Sequence, residues 1–123
     1  MARSIWKILP ILNHKRWKMK IVAITACAGG IAHTYMAAEA VKKAARLAGD
    51  EIKIEIQGAM GVENQLSQND IEEAELIIFA VNIGVRDLDR FESKNPIVID
   101  PGEFVGNAQK ALEKAKKIAA SQK

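Results

Sequence analysis

The fold of this chain is decided by residues 21–34, which read Ile21-Val22-Ala23-Ile24-Thr25-Ala26-Cys27-Ala28-Gly29-Gly30-Ile31-Ala32-His33-Thr34. The first four are continuously apolar, and a short apolar run that ends in small residues is typical of a strand covered on both faces. A glycine-bearing loop follows, and apolar residues at helical spacing predict a helix from about His33 to Ala48, which Gly49 ends. The stretch therefore predicts a central strand that enters a helix through a loop, and Cys27 opens that loop.

The rest of the chain continues the alternation of strands and helices. Residues 51–57 alternate isoleucine with charged or polar side chains, which predicts an edge strand with one face in water. Residues 76–81 are a second continuously apolar run and predict a second central strand. The other predicted elements are an irregular loop over 58–64, a short helix over about 68–74 behind a capping-box-like Ser67 and Asp70, a loop or distorted helix over 82–94, a short strand over 97–99 and a helix over about 103–120.

This order of elements is that of an α/β fold, and it predicts a three-layer sandwich with a four-stranded parallel sheet, Rossmann- or flavodoxin-like. With the two continuously apolar strands in the middle and right-handed crossovers, the predicted strand order is 2-1-3-4. The sheet then reverses direction between strands 1 and 3. Ligands of such folds bind at that reversal, outside the carboxyl ends of the strands, and Cys27 is expected to lie there.

Length and charge indicate one mildly acidic domain. A chain of 123 residues is expected to form a single domain, here residues 19–123. Residues 1–20 carry six basic residues and no acidic one, whereas residues 21–123 carry 12 basic and 15 acidic residues, a net charge of −3. The basic pI therefore reflects the N-terminal segment, and no nucleic-acid partner is expected for the folded part.

Residues 1–18 are predicted to be a flexible N-terminal extension with basic and apolar residues. The alternative is an amphipathic segment that touches a membrane surface or a partner. Its apolar run is too short to span a bilayer, so no stable membrane insertion is expected. The lone cysteine excludes an internal disulfide and no cluster has zinc-ligand spacing, so no metal or other cofactor is expected, and a reducing, cytoplasmic setting fits best.

We interpret Cys27 as a nucleophile that carries a phosphoryl group. A thiol must be a thiolate to attack phosphorus, and the N-terminus of the following helix stabilises that anion. Gly29 and Gly30 permit the positive φ values that turn successive N–H groups into one concavity for a phosphate. The predicted cradle consists of the backbone N–H groups of Ala28, Gly29, Gly30, Ile31 and Ala32, with His33 and Thr34 as supporting donors. The predicted rim, at the ends of strands 2 and 3, consists of Gln57, Gly58, Asn82 and Arg86.

Each of these residues also has a plainer interpretation. A lone cysteine is often a small buried hydrophobe, and a glycine pair can be only a tight turn. A cysteine followed by five residues, an arginine and a hydroxyl residue is the phosphate loop of tyrosine phosphatases, but His33 stands where that arginine would be. The bidentate clamp on the phosphoryl group is then missing, which argues against hydrolysis. A low-molecular-weight cysteine phosphatase and a non-catalytic regulatory interaction domain remain the alternatives.

The same residues resemble a known family. Residues 21–40, the quoted stretch with its continuation Tyr35-Met36-Ala37-Ala38-Glu39-Ala40, closely resemble the fructose-type IIB domains of the bacterial phosphoenolpyruvate–sugar phosphotransferase system. A second block is Glu55-Ile56-Gln57-Gly58-Ala59-Met60-Gly61-Val62-Glu63-Asn64-Gln65-Leu66, followed by Asp70-Ile71, and Arg90-Phe91 is a third, weaker match. The resemblance covers about residues 19–121.

The resemblance implies a covalent relay. In that family the cysteine, here Cys27, accepts a phosphoryl group from a phosphohistidine of the IIA component. It then passes the group to a sugar held by the membrane-embedded IIC component. This implies a protein-phosphohistidine–sugar phosphotransferase with a phosphocysteine intermediate, acting on fructose or a fructose-like sugar. The implied location is cytoplasmic, at the inner membrane through IIC.

This chain departs from the family beside the nucleophile. Relatives usually have proline and then threonine or serine after the cysteine, whereas this chain has Ala28-Gly29. Loss of the proline is expected to make the loop less rigid, and loss of the hydroxyl removes one possible phosphate donor.

Overall fold

The computed structural model describes residues 19–28, 31–59 and 61–122, and only the backbone of residues 31–33. The predicted extension over residues 1–18 lies outside this part. The elements in chain order are β1 (Lys20–Ala26), α1 (Ile31–Ala48), β2 (Glu51–Gly58), β3 (Gly61–Glu63), α2 (Gln68–Glu73), β4 (Leu76–Val81), a 3₁₀ turn (Leu88–Phe91), β5 (Ile97–Ile99) and α3 (Pro101–Ser121).

The sheet has five strands in the order β3-β2-β1-β4-β5. β1 pairs in parallel with β2 and β4, and β4 pairs in parallel with β5. The four predicted strands therefore have the predicted order 2-1-3-4, and the α/β fold is confirmed. The predicted count of four is wrong, because β3 adds an antiparallel strand outside β2. The sequence missed β3 because Gly61-Val62-Glu63 has one apolar residue and lies in a segment with Gly58, Gly61 and Asn64, which predicts a loop, whereas the equally short β5 is entirely apolar.

The two faces of the sheet are covered unequally, which confirms the three-layer arrangement. On one face α1 and α3 pack over apolar strand side chains such as Ile21, Ile54 and Ile78, with Phe104 of α3 in the same core. The other face is covered by α2, the 3₁₀ turn and their connections, with Ile71 and Phe91 in its core. Each fully buried side chain of this size stabilises the fold by about 1.5–3 kcal/mol relative to exposure.

β2 differs from its prediction as an edge strand with one wet face. β3 pairs with β2 only from Ile56 to Gly58, so the carboxyl end of β2 is interior to the sheet. On the face predicted to be wet, Glu55 and Gln57 are 0% and 4% exposed. Alternation in the sequence predicts which side chains share a face of the strand. It cannot predict that the loop before α2 and the 3₁₀ turn cover that face at the carboxyl end of β2.

The helix ends follow the local signals in the sequence. Gly49, which ends α1, has a φ of 83°, a conformation that favours glycine. Ser67 and Asp70 form the predicted capping box at α2, with each side chain accepting the backbone N–H of the other residue. Asp100 caps α3, and Pro101 occupies its first turn, where no N–H is required.

Candidate functional site

Cys27 directly follows β1, at the edge of the sheet where the parallel strands end. β1 lies between β2 and β4. The connection to β2 runs through α1 on one face, whereas the connection to β4 runs through α2 on the other face. Cys27 is thus at the topological switch point of the sheet, as a free and partly buried thiol.

The predicted phosphate cradle is only partly within the described residues. α1 begins at Ile31, four positions after Cys27, so a helix N-terminus follows the thiol closely. Gly29 and Gly30 lie outside the described residues, as do the side chains of Ile31, Ala32 and His33. Thr34, predicted as a supporting donor, is 2% exposed in the first turns of α1. Whether these groups hold a phosphoryl group stays a prediction.

Asn82 holds the chain on both sides of Cys27. Its backbone N–H donates to the carbonyl oxygen of Ala26, at an N···O distance of 3.2 Å. Its side-chain Oδ1 accepts the backbone N–H of Ala28, at 2.9 Å. The loop that follows β4 is therefore fastened to both chain neighbours of the cysteine. The N–H of Ala28, a predicted member of the cradle, already has an acceptor in this structure.

The other three predicted rim residues form one hydrogen-bonded set. Gln57 Oε1 accepts the backbone N–H of Arg86 at 2.8 Å, and Gln57 Nε2 donates to the Arg86 carbonyl oxygen at 3.2 Å. The guanidinium Nη2 of Arg86 donates to the carbonyl oxygen of Gly58 at 2.9 Å. The loop from Asn82 to Arg86 is thus tied at its start to the end of β1 and at its finish to the end of β2.

A buried ion pair, Glu55 with Arg90, supports this rim and was not predicted as part of the site. Arg90 Nη1 donates to Glu55 Oε1 at 2.8 Å, and Nη2 donates to Oε2 at 3.0 Å. The same carboxylate accepts Gln57 Nε2 at 2.7 Å and the backbone N–H of Leu66 at 2.9 Å. Bidentate, charge-assisted bonds of this kind combine strength with a fixed geometry.

The hydrogen bonds decide the protonation of this buried carboxyl. Burial alone raises the pKa of Glu55, because a charge is costly away from water. The hydrogen bonds from Arg90, Gln57 and Leu66 oppose burial and outweigh it, so the pKa of Glu55 lies below its usual value. In turn the hydrogen bond to Glu55 raises the pKa of Arg90. Both members are therefore charged at neutral pH.

Arg90 also fixes the chain around it. Its Nε donates to the carbonyl oxygen of Asp87 at 3.0 Å, and Nη1 and Nη2 reach the carbonyl oxygens of Leu66 and Arg86 at 3.3 Å. Its guanidinium carbon lies 5.3 Å from the centroid of the Phe91 ring. One side chain thus joins β2, the loop before α2 and the loop before the 3₁₀ turn. The sequence signal for it was the weak Arg90-Phe91 match.

In the described part of the chain, no group of three or more histidine, cysteine or acidic side chains is arranged to hold a metal ion. The helices described there include none long and apolar enough to cross a membrane.

Comparison with known proteins gives the family. A family model described as the PTS system lactose/cellobiose-specific IIB subunit matches residues 22–114. The PTS system fructose-like EIIB component 2 of Escherichia coli K12 is 41% identical over 95 residues, which are 77% of this chain and 90% of that protein. The fructose-like EIIB component 1 of the same strain is 42% identical over 103 residues, 84% of this chain and 95% of that protein.

Solved structures agree with this result. The solution structure of an Enzyme IIB subunit of the PTS system from Escherichia coli K12 superposes with a TM-score of 0.76, at 41% identity, covering 85% of this chain and 96% of that one. A crystal structure of a domain of a fructose-specific IIABC component from Borrelia burgdorferi gives a TM-score of 0.73, at 36% identity, covering 79% and 92%. The resemblance stated from the sequence is confirmed. The chain belongs to the PTS IIB family and is a sugar phosphotransferase-system component similar to the fructose-like IIB proteins.

Proposed function

We propose that Cys27 is the phosphoryl carrier of this IIB protein. It accepts a phosphoryl group from a phosphohistidine of a IIA component and passes it to fructose or a fructose-like sugar held by a membrane-embedded IIC component. The observation that carries this proposal is the position of Cys27, a free and partly buried thiol at the switch point of the sheet, four residues before α1.

The relay consists of two displacements at phosphorus. In the first, the Cys27 thiolate forms an S–P bond as the P–N bond to the IIA histidine breaks, and the imidazole leaves with the electron pair of that bond. In the second, a sugar hydroxyl oxygen forms an O–P bond as the S–P bond breaks, and the thiolate is restored. The hydroxyl proton passes to solvent in this step. Neither displacement changes an oxidation state, so no oxidant or reductant is consumed.

This chain's own groups are suited to holding a dianion between the two steps. The N–H groups at the start of α1 and the helix dipole favour negative charge at its N-terminus. In the proposed arrangement the backbone from Ala28 to Ala32 surrounds the phosphoryl group, and His33 and Thr34 assist. The Asn82–Arg86 loop keeps the rim in place, because both of its ends are hydrogen-bonded to neighbouring strands.

The partners approach the same edge of the sheet. Exposed apolar side chains occur on segments that border it, among them Tyr35, Met36, Ile83 and Leu88. Exposed apolar groups around a reactive residue favour contact with another protein. We place IIA and IIC on this surface in turn. The protein then works in the cytoplasm, peripheral to the inner membrane through IIC.

The test is transfer to a defined residue. The protein is incubated with phosphoenolpyruvate, the general phosphotransferase proteins and the matching IIA, and intact and peptide masses are recorded. We expect one added phosphoryl group on the peptide that contains Cys27. Cys27→Ala abolishes it, whereas Ser93→Ala, an exposed site elsewhere, leaves it unchanged. Equal labelling of Cys27→Ala contradicts the proposal.

Two further measurements separate the alternatives. A cysteine phosphatase releases inorganic phosphate from an aryl phosphate with repeated turnover that depends on Cys27. A regulatory interaction domain keeps its biological role when Cys27 is replaced by alanine. For the relay we expect no such turnover, and loss of sugar phosphorylation in membranes that contain the IIC component when Cys27→Ala replaces the original protein.

A further inference from the structure

The bond between Asn82 and Ala28 occupies a backbone N–H that belongs to the proposed cradle of this chain. The N–H of Ala28 belongs to the residue next to the nucleophile, so it lies within a few bonds of any group attached to the cysteine sulfur. In this structure that N–H donates to Asn82 Oδ1 at 2.9 Å. Because the donor is a backbone N–H, the contacting atom of Asn82 is its carbonyl oxygen. A neutral amide oxygen thus accepts an N–H that the proposed cradle assigns to a phosphoryl oxygen.

The Asn82 side chain is free to leave without loosening the loop. Asn82 is exposed, so its amide returns to water when the bond to Ala28 breaks. Its backbone is held separately, through the N–H that donates to Ala26 at 3.2 Å. Rotation of the side chain therefore exchanges one acceptor on Ala28 for another, while the loop stays fastened to the end of β1.

We propose that Asn82 is a positioning residue that holds the Ala28 N–H in the unphosphorylated protein and yields it to a phosphoryl oxygen when Cys27 is phosphorylated. This inference rests on the proposed function of Cys27. No covalent change occurs at Asn82. Its role is to keep the donor in place and satisfied until the phosphoryl group arrives, at the cost of competing with it.

The chemistry of asparagine fits this role better than that of aspartate. A neutral amide oxygen makes a bond of modest net strength, so the exchange for a phosphoryl oxygen is nearly balanced before the charge of the phosphoryl group is counted. A carboxylate in the same place would form a charge-assisted bond to Ala28 and would also repel the dianion. Substitution at this one position therefore shifts the phosphorylation equilibrium in opposite directions, depending on the replacement.

The experiment measures the fraction of phosphocysteine at equilibrium with a limiting amount of phosphorylated IIA, by intact mass. Asn82→Ala removes the competing acceptor, and a net hydrogen bond of about 1 kcal/mol predicts an equilibrium constant for phosphorylation about fivefold higher than in the original protein. Asn82→Asp lowers it. Asn95→Ala, an exposed asparagine just before β5 at the opposite edge of the sheet, leaves it unchanged.

A double-mutant comparison isolates the effect of the hydrogen bond between Asn82 and Ala28. Proline has no backbone N–H, so Ala28→Pro removes the donor while leaving Asn82 in place. In this background we expect Asn82→Ala to leave the equilibrium unchanged, because there is no bond left to compete. The amide resonance of Ala28 gives an independent reading, since its shift in the unphosphorylated protein depends on Asn82.

The possible outcomes separate this inference from the proposed function. Suppose that the unsubstituted protein is phosphorylated on Cys27 but Asn82→Ala lowers the phosphorylation equilibrium or leaves it unchanged. Asn82 is then structural or is itself a donor, and only the inference about Asn82 fails. It also fails if the gain from Asn82→Ala persists with Ala28→Pro. If the original protein takes up no phosphoryl group, the proposed function fails and this inference fails with it.

Discussion

Two charged side chains on the same face of β2, Lys53 and Glu55, have opposite environments. Lys53 lies near the start of the strand, is exposed, and pairs with Asp70 at 2.8 Å. Glu55 lies two residues later and is fully buried, with its carboxylate bound by Arg90, Gln57 and Leu66. The alternation that places them on one face is the same. What differs is the cover, because the loop before α2 and the 3₁₀ turn close over the carboxyl end only.

The two ion pairs differ in how much each contributes to the structure. An exposed pair gains little, since water and salt screen it and two long side chains must be ordered. A buried pair loses hydration on both partners, so its net contribution is small while both are present, and removing one partner is costly. The Lys53–Asp70 pair supports the start of α2. The Glu55–Arg90 pair supports the Asn82–Arg86 loop, which is hydrogen-bonded to both chain neighbours of Cys27.

The largest effect is expected from Arg90→Ala, which leaves the Glu55 carboxylate buried without its partner. We expect a loss of about 3–5 kcal/mol in the free energy of unfolding. Urea denaturation measures it, with Arg46→Ala as the matched control, since Arg46 is exposed in the last turn of α1 and should change stability by less than about 0.5 kcal/mol. Similar losses in the two variants would contradict the expected cost of leaving the buried Glu55 carboxylate without Arg90.

Gln57→Leu is expected to have the next largest effect. The substitution keeps most of the volume but removes the partners of the Arg86 N–H and carbonyl oxygen and one donor to Glu55. The expected loss in the free energy of unfolding is about 1–3 kcal/mol. Phosphorylation of Cys27 should also slow, because the Asn82–Arg86 loop keeps only the bond from Arg86 to Gly58 as its tie to β2. Rapid-quench labelling measures the rate of phosphorylation, and urea denaturation measures the stability. Gln109→Leu, at an exposed position of α3, serves as the control. Unchanged labelling would show that the hydrogen bonds between Gln57 and Arg86 have no part in positioning the site.

The pair of Lys53 and Asp70 is expected to make the stability depend on pH in the acid range. The hydrogen bond from Lys53, followed by that from the Ser67 backbone, lowers the pKa of Asp70 from 3.8 to about 2. Because the folded-state pKa lies below the unfolded one, this stabilisation is complete above pH 3.8 and is lost as the pH falls towards about 2.

Urea midpoints measured across this range are therefore expected to fall more steeply for the original protein than for Asp70→Asn. The variant keeps some acid sensitivity, since the pKa of Glu55 is also lowered and contributes in the same direction. Glu72→Gln, an exposed neighbour in α2, should follow the original curve. Parallel curves for Asp70→Asn and the original protein would contradict the assignment to Asp70.

The smallest effect is expected from Lys53→Gln. The Lys53 side chain is exposed in its ion pair with Asp70. The loss of stability at neutral pH should therefore be slight and should shrink further in concentrated salt. Urea denaturation at low and high salt measures it, against Lys43→Gln on the exposed face of α1. A loss as large as that of Arg90→Ala would mean that burial is not what distinguishes the two ends of β2.

Much of the fold was predictable because its signals are local. The continuous apolar runs of β1 and β4 identified the central strands, and Gly49 and the Ser67–Asp70 box marked helix ends. The order of those strands followed from burial and the handedness of crossovers. β3 was missed because Gly61-Val62-Glu63 has one apolar residue among turn-forming neighbours, and the strand is formed by pairing with β2.

The site was predictable only in its position. The loop after β1 and the residues that end β2 and β4 were chosen because carboxyl ends of parallel strands meet at one edge. The structure adds which atoms join them, among them Asn82 Oδ1 on the N–H of Ala28. Glu55 and Arg90 were missed, since they are 35 residues apart in the chain and a period-two pattern assigned Glu55 to water.

The amino-acid sequence by itself determined the four parallel strands, the helix boundaries and the placement of the one cysteine at the switch point. The reason is that apolar periodicity, capping residues and backbone chirality act between near neighbours along the chain. The tertiary structure alone decided that Glu55 is buried and charged, that Arg90 is its partner, and that Asn82 brackets Cys27. Those outcomes depend on what packs over a side chain, and distant segments supply that cover only once the chain has folded.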